Sequence, residues 1–166
     1  MSGLELRLRT VVVLLVAMLL TGCSTVGYYA QAVHGHLDMI GRARPVEAVE
    51  RDPATSDALR ARLEVAMRIR DFASRELALP DNGSYRRYAD LGRPYVVWNV
   101  FSAPEFSVEP VKHCFPIAGC VAYRGFYAEA DAQAEAVRER AAGRDTYVGG
   151  VPAYSTLGWF DDPLLN

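Results

Sequence analysis

Hydrophobic positions along this chain recur with two different periods, and the change falls near residue 80. Val26, Tyr29, Ala30, Val33, Leu37 and Ile40 follow one another at steps of three and four, which predicts an amphipathic helix ending near Gly41 with those side chains on its core face. Arg44-Pro45-Val46 can open a short second helical turn, with proline at its first position, that closes near Asp52-Pro53. Ser56 and Asp57 then precede Leu59, Leu63, Met67, Phe72 and Leu77. Arg60, Arg62, Glu64, Arg68, Arg70 and Asp71 fill the other positions, so residues 57–78 read as the clearest helix. Leu79-Pro80-Asp81-Asn82-Gly83-Ser84 stops it, because proline cannot continue a helix and Asn-Gly accepts positive φ.

Beyond that turn the chain is richer in β-branched and aromatic residues. Tyr95 to Phe101, between Pro94 and Pro104, predicts a mostly buried strand, with Glu105 to Val111 as its expected partner. Cys120 to Phe126 predicts a third strand, Ala128 to Ala142 an alanine- and glutamate-rich helix closed by Gly143, and Asp145 to Gly150 a fourth strand. Strand, helix, strand within about thirty residues is the shape of a βαβ crossover. The expected fold class is therefore α+β, a helical N-terminal half followed by a mixed β-sheet. That sheet is expected to be incomplete, since Pro163-Leu164-Leu165-Asn166 stops on apolar residues.

The N-terminus carries the most specific local signal. Arg7 and Arg9 precede an unbroken apolar run from Val11 to Leu20, and Thr21-Gly22-Cys23 follows, which is the layout of a secretory signal. Ten apolar residues are too few for a permanent membrane span. Leu20-Thr21-Gly22-Cys23 also resembles the bacterial lipobox, so residues 1–22 are expected to be a signal peptide and Cys23 the lipidated first residue of a domain covering 23–166. An acylated cysteine buries many methylenes at about 0.8 kcal/mol each, enough to hold the protein at a membrane. Ser24, rather than Asp, after the cysteine points to a periplasm-facing protein at the outer membrane.

Composition adds exclusions. The 166 residues are 51% hydrophobic and 23% charged, which fits one globular domain and excludes disorder over the whole length. Eighteen Lys and Arg against twenty Asp and Glu give a net charge of -2, with no basic stripe to follow a phosphate backbone, so nucleic acid is not an expected partner. Cys114 and Cys120 flank a loop containing Pro116 and Gly119, and in an exported chain this spacing reads first as a disulfide. His113 beside Cys114 leaves a thiolate–base pair or a metal site with Cys120 as alternatives. His34-Gly35-His36-Leu37-Asp38 has metal-ligand composition. On a helix, however, its two imidazoles point about 200° apart, so they would not share an ion. Asp161-Asp162-Pro163 reads as a solvated turn.

A wider pattern resembles a bacterial family of putative aminopeptidases. It is carried by Gly22-Cys23-Ser24-Thr25-Val26-Gly27-Tyr28-Tyr29, Arg70-Asp71-Phe72-Ala73, Leu79 to Tyr85 and Pro94 to Phe101. Cys114-Phe115-Pro116 with Gly119-Cys120, Tyr123-Arg124-Gly125 and Gly149 to Pro163 complete it. The resemblance implies a lipid-anchored metallopeptidase, with zinc as cofactor and peptides as substrate, whose members are longer and carry a His-Glu-x-x-His helix beyond the Trp-Phe-Asp-Asp-Pro segment. No histidine here precedes a glutamate. The chain is thus expected to be the N-terminal half of such a hydrolase, inactive by itself, with no catalytic or metal-ligating residue among its own. Ala153 to Phe160 would lie where an edge strand pairs with substrate in thermolysin-like peptidases, which nominates Tyr154, Ser155 and Thr156 for peptide binding. The alternative is a non-catalytic envelope lipoprotein that binds peptide or a protein partner.

Overall fold

The computed structural model describes residues 25–115 and 119–166. Residues 25–42 are helical and form α1. There follow β1 (Arg44–Pro45), α2 (Val46–Glu50), α3 (Asp57–Arg75), β2 (Arg87–Ala89) and β3 (Val97–Pro104). The rest are β4 (His113–Phe115), β5 (Gly119–Val121), β6 (Arg124–Phe126), α4 (Glu129–Ala141), β7 (Arg144–Val151) and β8 (Leu164–Leu165). Helices come first and small sheets after them, so the fold is α+β. Cys23 and the expected signal peptide, residues 1–22, lie outside the described residues. Among the described residues, no helix is long and apolar enough to cross a membrane.

The main sheet has the order β6-β3-β7, with both outer strands antiparallel to β3. β6 and β7 therefore run parallel, and α4 is the crossover between them. The expected βαβ unit is present, split by β3 between its two strands. α4 seats Ala132 and Ala136, both fully buried, against Val100 and Phe126, since methyl side chains let the helix approach the sheet closely. Glu105 to Val111 is not the partner of β3. The chain turns there instead, with Phe106 at φ 63° and the Ser107 N–H donating to the Pro104 carbonyl. Strands more distant in sequence, β6 and β7, pair with the two edges of β3, and beyond the turn the expected segment bonds to it through the Val111 N–H, which donates to the Ser102 carbonyl at 2.8 Å. The expected strand Cys120 to Phe126 is likewise broken in two. Its first part pairs with β4 in a hairpin that sets Cys114 opposite Cys120, and the two sulfurs are joined in a disulfide. Its second part is β6.

A second sheet, β1-β2-β8, was not foreseen, because strands of two or three residues carry no readable period. Leu164 and Leu165 pair in parallel with Tyr88 and Ala89, so the apolar tail has a place in the sheet. Beneath it Val46, Val49, Leu63 and Tyr88 form a small core between α2 and α3. Ser56 caps α3 by accepting from the Leu59 N–H at 3.3 Å. The helix ends at Arg75, earlier than expected; its second half buries Arg70 while leaving Phe72 more than half exposed, and Leu77 beyond its end is equally exposed.

α1 departs furthest from expectation. The stripe Val26, Tyr29, Ala30, Val33 and Leu37 faces outward, and only Ile40 of the predicted set packs on the core. The inward face is made by Tyr28, Gln31, Gly35, His36 and Met39. The absent side chain at Gly35 decides this orientation. A Cβ there would lie 2.1 Å from Cγ of the buried Tyr127, so glycine is what lets the helix lie flat on that ring. Gln31 fastens the same face, accepting from the Tyr127 N–H at 3.1 Å and donating to the Gly125 carbonyl at 3.3 Å.

Candidate functional site

β7 is the longest exposed edge of the main sheet among the described residues. It pairs with β3 on one side over eight residues, and among the described residues no strand pairs with its other side. Such an edge presents unpaired backbone N–H and C=O groups to an extended chain. At its end the chain enters residues 152–163, which fold back over α1 and the turn that follows α3. Ala153 to Phe160 is not a strand. Thr156 starts a tight turn in which the Trp159 N–H donates to its carbonyl at 3.2 Å, with Leu157 and Gly158 both at positive φ.

One buried carboxylate holds this turn. Asp162, 4% exposed, accepts from the Thr156 N–H at 2.9 Å and from the Thr156 hydroxyl at 2.8 Å. Its own carbonyl accepts from the Tyr85 N–H at 2.6 Å, which stitches the segment to the 81–86 turn. The expectation of a solvated Asp-Asp-Pro turn is thus wrong for Asp162 and right for the exposed Asp161. A charge two residues before the leucines of β8 is buried because two donors from one threonine replace its water. The Asp161 carboxylate lies over Gly83, where an added Cβ would be 2.3 Å from Oδ2.

The 81–86 turn is fixed from the opposite side by Arg70. Its guanidinium, on α3 and 8% exposed, donates to the carbonyl of Ser84 at 2.7 Å, to Oδ1 of Asp81 at 3.1 Å and to the carbonyl of Asn82. Arg86 foremost, with Arg70 behind it, holds the Asp81 carboxyl below its ordinary pKa. Between the two turns and α2 opens a groove of about 500 Å³, lined by Gly83, Phe160 and Ile40 and by charges of both signs, Arg86 and Arg87 with Glu47 and Asp161. Charges of both signs thus surround an apolar floor.

The residues nominated from sequence divide. Tyr154 is half-buried, its ring 5.9 Å from that of Tyr127 and 6.2 Å from that of His36. Ser155 is exposed, its Oγ accepting from the Leu157 N–H at 3.1 Å. Thr156 spends its hydroxyl on Asp162 and Phe160, so it positions the turn. Arg70, Asp162, Gly35 and Gly83 were not singled out for these roles. The only sequence sign of them was the run of family-like motifs in which three of them sit, since charge and periodicity marked all four as surface or loop.

The histidines do not converge. His34 is exposed, whereas His36 packs 4.7 Å from the Phe160 ring with neither ring nitrogen hydrogen-bonded. Burial lowers the His36 pKa, opposed in part by the charge of Asp162. Burial likewise raises that of the Tyr127 phenol, with the neighbouring Tyr154 acting in the same direction. His113 sits on β4, its pKa lowered first by burial and then by Arg124. Among the described residues no three His, Cys, Asp or Glu side chains are grouped so as to hold a metal ion. A zinc ion needs at least three such ligands, and the described residues alone do not bring them together. Cys114 and Cys120, the alternative ligands or nucleophile, are bonded to each other.

A family model described as putative aminopeptidase fits residues 27–166. Neither a curated protein nor a solved structure matches the chain.

Proposed function

The chain belongs to the putative aminopeptidase family, and on that premise we propose that it is the peptide-binding, membrane-anchored N-terminal part of a zinc-dependent aminopeptidase. In this reading Cys23 carries the lipid, the domain faces the periplasm from the outer membrane, and the zinc ligands come from residues outside 1–166. A substrate peptide adds as a strand to the free edge of β7. Tyr154 and Ser155, in the segment that follows, meet one end of it, while Thr156 and Asp162 hold that segment still. The observation that carries the reading is the sequence of an eight-residue edge strand leading directly into a turn locked by a buried carboxylate. Main-chain pairing gives affinity without demanding a particular side chain, which suits an enzyme acting on many peptides.

Two measurements test it. Binding of a short apolar peptide to the membrane-extracted protein is expected to weaken at least about ten-fold when alternate backbone nitrogens of the peptide are methylated, because each methyl removes a ladder donor. Equal affinity of the two peptides would overturn strand addition. The same preparation is expected to release the N-terminal residue of aminoacyl-nitroanilides, to lose this activity to a zinc chelator, and to come from a reading frame that encodes His-Glu-x-x-His after codon 166. Backbone-dependent peptide binding in a protein whose frame lacks that motif would instead establish the non-catalytic lipoprotein.

A further inference from the structure

α1 exposes what a helix of a water-facing domain normally hides. Val26, Val33 and Leu37 are 68%, 59% and 61% exposed, and Tyr29 stands beside them. With Ala30 they line one open, apolar depression along the outer face of the helix. The stripe is free of charge as well. From Cys23 to Leu37 there is no Asp, Glu, Lys or Arg, and the first is Asp38, ion-paired with Arg42 at the helix end. The other long helices show what water-facing surface looks like in this protein. The outward positions of α3 interleave Val65, Ile69 and Phe72 with Arg62, Glu64, Arg68 and Asp71, and those of α4 set Val137 among Glu129, Asp131, Arg138 and Arg140, whereas the stripe of α1 has no charge between its apolar side chains. The stripe cannot turn inward, because Gly35 and Gln31 fix the opposite face on Tyr127. Nor is it a helix with too little to bury, since Met39 is fully buried on the inward face.

We propose that the outer face of α1 lies on the phospholipid surface, so that the helix, together with the lipid on Cys23, sets the orientation of the domain at the membrane. The proposal rests on the anchor assigned above. Only Ser24 and Thr25 separate Cys23 from Val26, so acyl chains inserted at Cys23 bring the first turn of α1 to the headgroups whatever path the chain takes. From Val26 to Leu37 the stripe extends about 16 Å, and helices that lie in the interfacial plane bury such a face to a shallow depth. Tyr29 has the ring and hydroxyl that favour the boundary between headgroup and acyl chain. A second anchoring element also matters physically, because a lipid alone tethers a domain without fixing its orientation.

The test uses the full protein in vesicles of phosphatidylethanolamine and phosphatidylglycerol containing a lipid with a photoactivatable diazirine at the top of its acyl chain. Adducts are located by mass spectrometry, and the mass of the peptide containing Cys23 is read in the same run. The peptide containing Val26 to Leu37 is expected to carry at least about ten-fold more adduct than the α4 peptide containing the equally exposed Val137. The variant Val33→Glu with Leu37→Glu, at positions already exposed, is expected to lose that excess while remaining folded by circular dichroism. Adduct on α1 no higher than on α4 overturns the proposal, as does α1 protected by cross-links to another protein segment or to a second copy. An acylated Cys23 with an unlabelled α1 sinks the helix and leaves the anchor standing. A labelled α1 with an unmodified Cys23 supports the helix and sinks the anchor.

Discussion

The main sheet with α4 and the pair of interlocked turns are held together in different ways. β3 meets β6 and β7 through continuous ladders, α4 covers the sheet with small apolar side chains, and the rim carries a chain of ion pairs. In that chain Arg124 reaches Glu135 at 2.5 Å, Arg138 reaches the same carboxylate, and Arg144 reaches Glu139 at 2.6 Å. Many weak contacts share the work there, so no single side chain is decisive. The turns at 81–86 and 152–163 have almost no ladder and depend on two buried charged groups, Arg70 and Asp162. A site built in the second manner is rigid while every bond is made and loosens as a unit when one is lost.

The largest expected effect strikes the junction between the two regions. Gly35→Val would drive a side chain into the Tyr127 ring and lift α1, at a cost of about 3 kcal/mol in urea unfolding. A loss below about 1 kcal/mol would mean that α1 contributes little to holding the regions together. Asp162→Ala comes next, at about 2 kcal/mol, since the Thr156 donors lose a charged acceptor. Here the comparison sharpens. Hydrogen exchange should accelerate at the amides of Thr156 and Tyr85 and stay unchanged in β3. Equal acceleration in β3 would show that the turns and the sheet open together.

Removing the disulfide with Cys114→Ser should cost about 1 kcal/mol in thermal unfolding, less than a bond closing a long loop, because it ties only the short exposed β4–β5 hairpin. The smallest effect is a pH slope. Folded His36 has a pKa below the ordinary 6.5, so the unfolded chain binds more protons as the pH falls under that value. Stability should therefore decline from pH 6.5 down to the folded pKa and level off beneath it, with His113 adding a slope of the same sign. His36→Phe should flatten part of this slope, measured as the urea midpoint against pH. An unchanged slope would place the titration elsewhere.

The split between regions is also the split in what could be read from the residues. α3, α4, β3 and β7 follow from period and cap, because each is long enough for its burial pattern to repeat, and the crossover follows from their order. The cysteine pair was legible from spacing alone, and the family from motifs that span the chain. The candidate site was legible only in part. Tyr154 and Ser155 follow β7 in the chain, but the edge strand itself ends at Val151, earlier than the aromatic run suggested.

By itself, then, the sequence determined the helices and strands long enough to show a period, their α+β order, and the absence of any His-Glu-x-x-His from these residues. Tertiary structure decided which face of α1 turns inward, which strands flank β3, where two-residue strands pair, and that Asp162 is buried. Periodicity records that a helix is amphipathic, but not what its apolar face meets. On α1 a glycine and a glutamine fitted to Tyr127 outweighed a stripe of valines and a leucine, because close packing and paired hydrogen bonds depend on the partner surface. A lone charge such as Asp162 reads as solvent-facing until the fold delivers the two donors of Thr156 that replace its water.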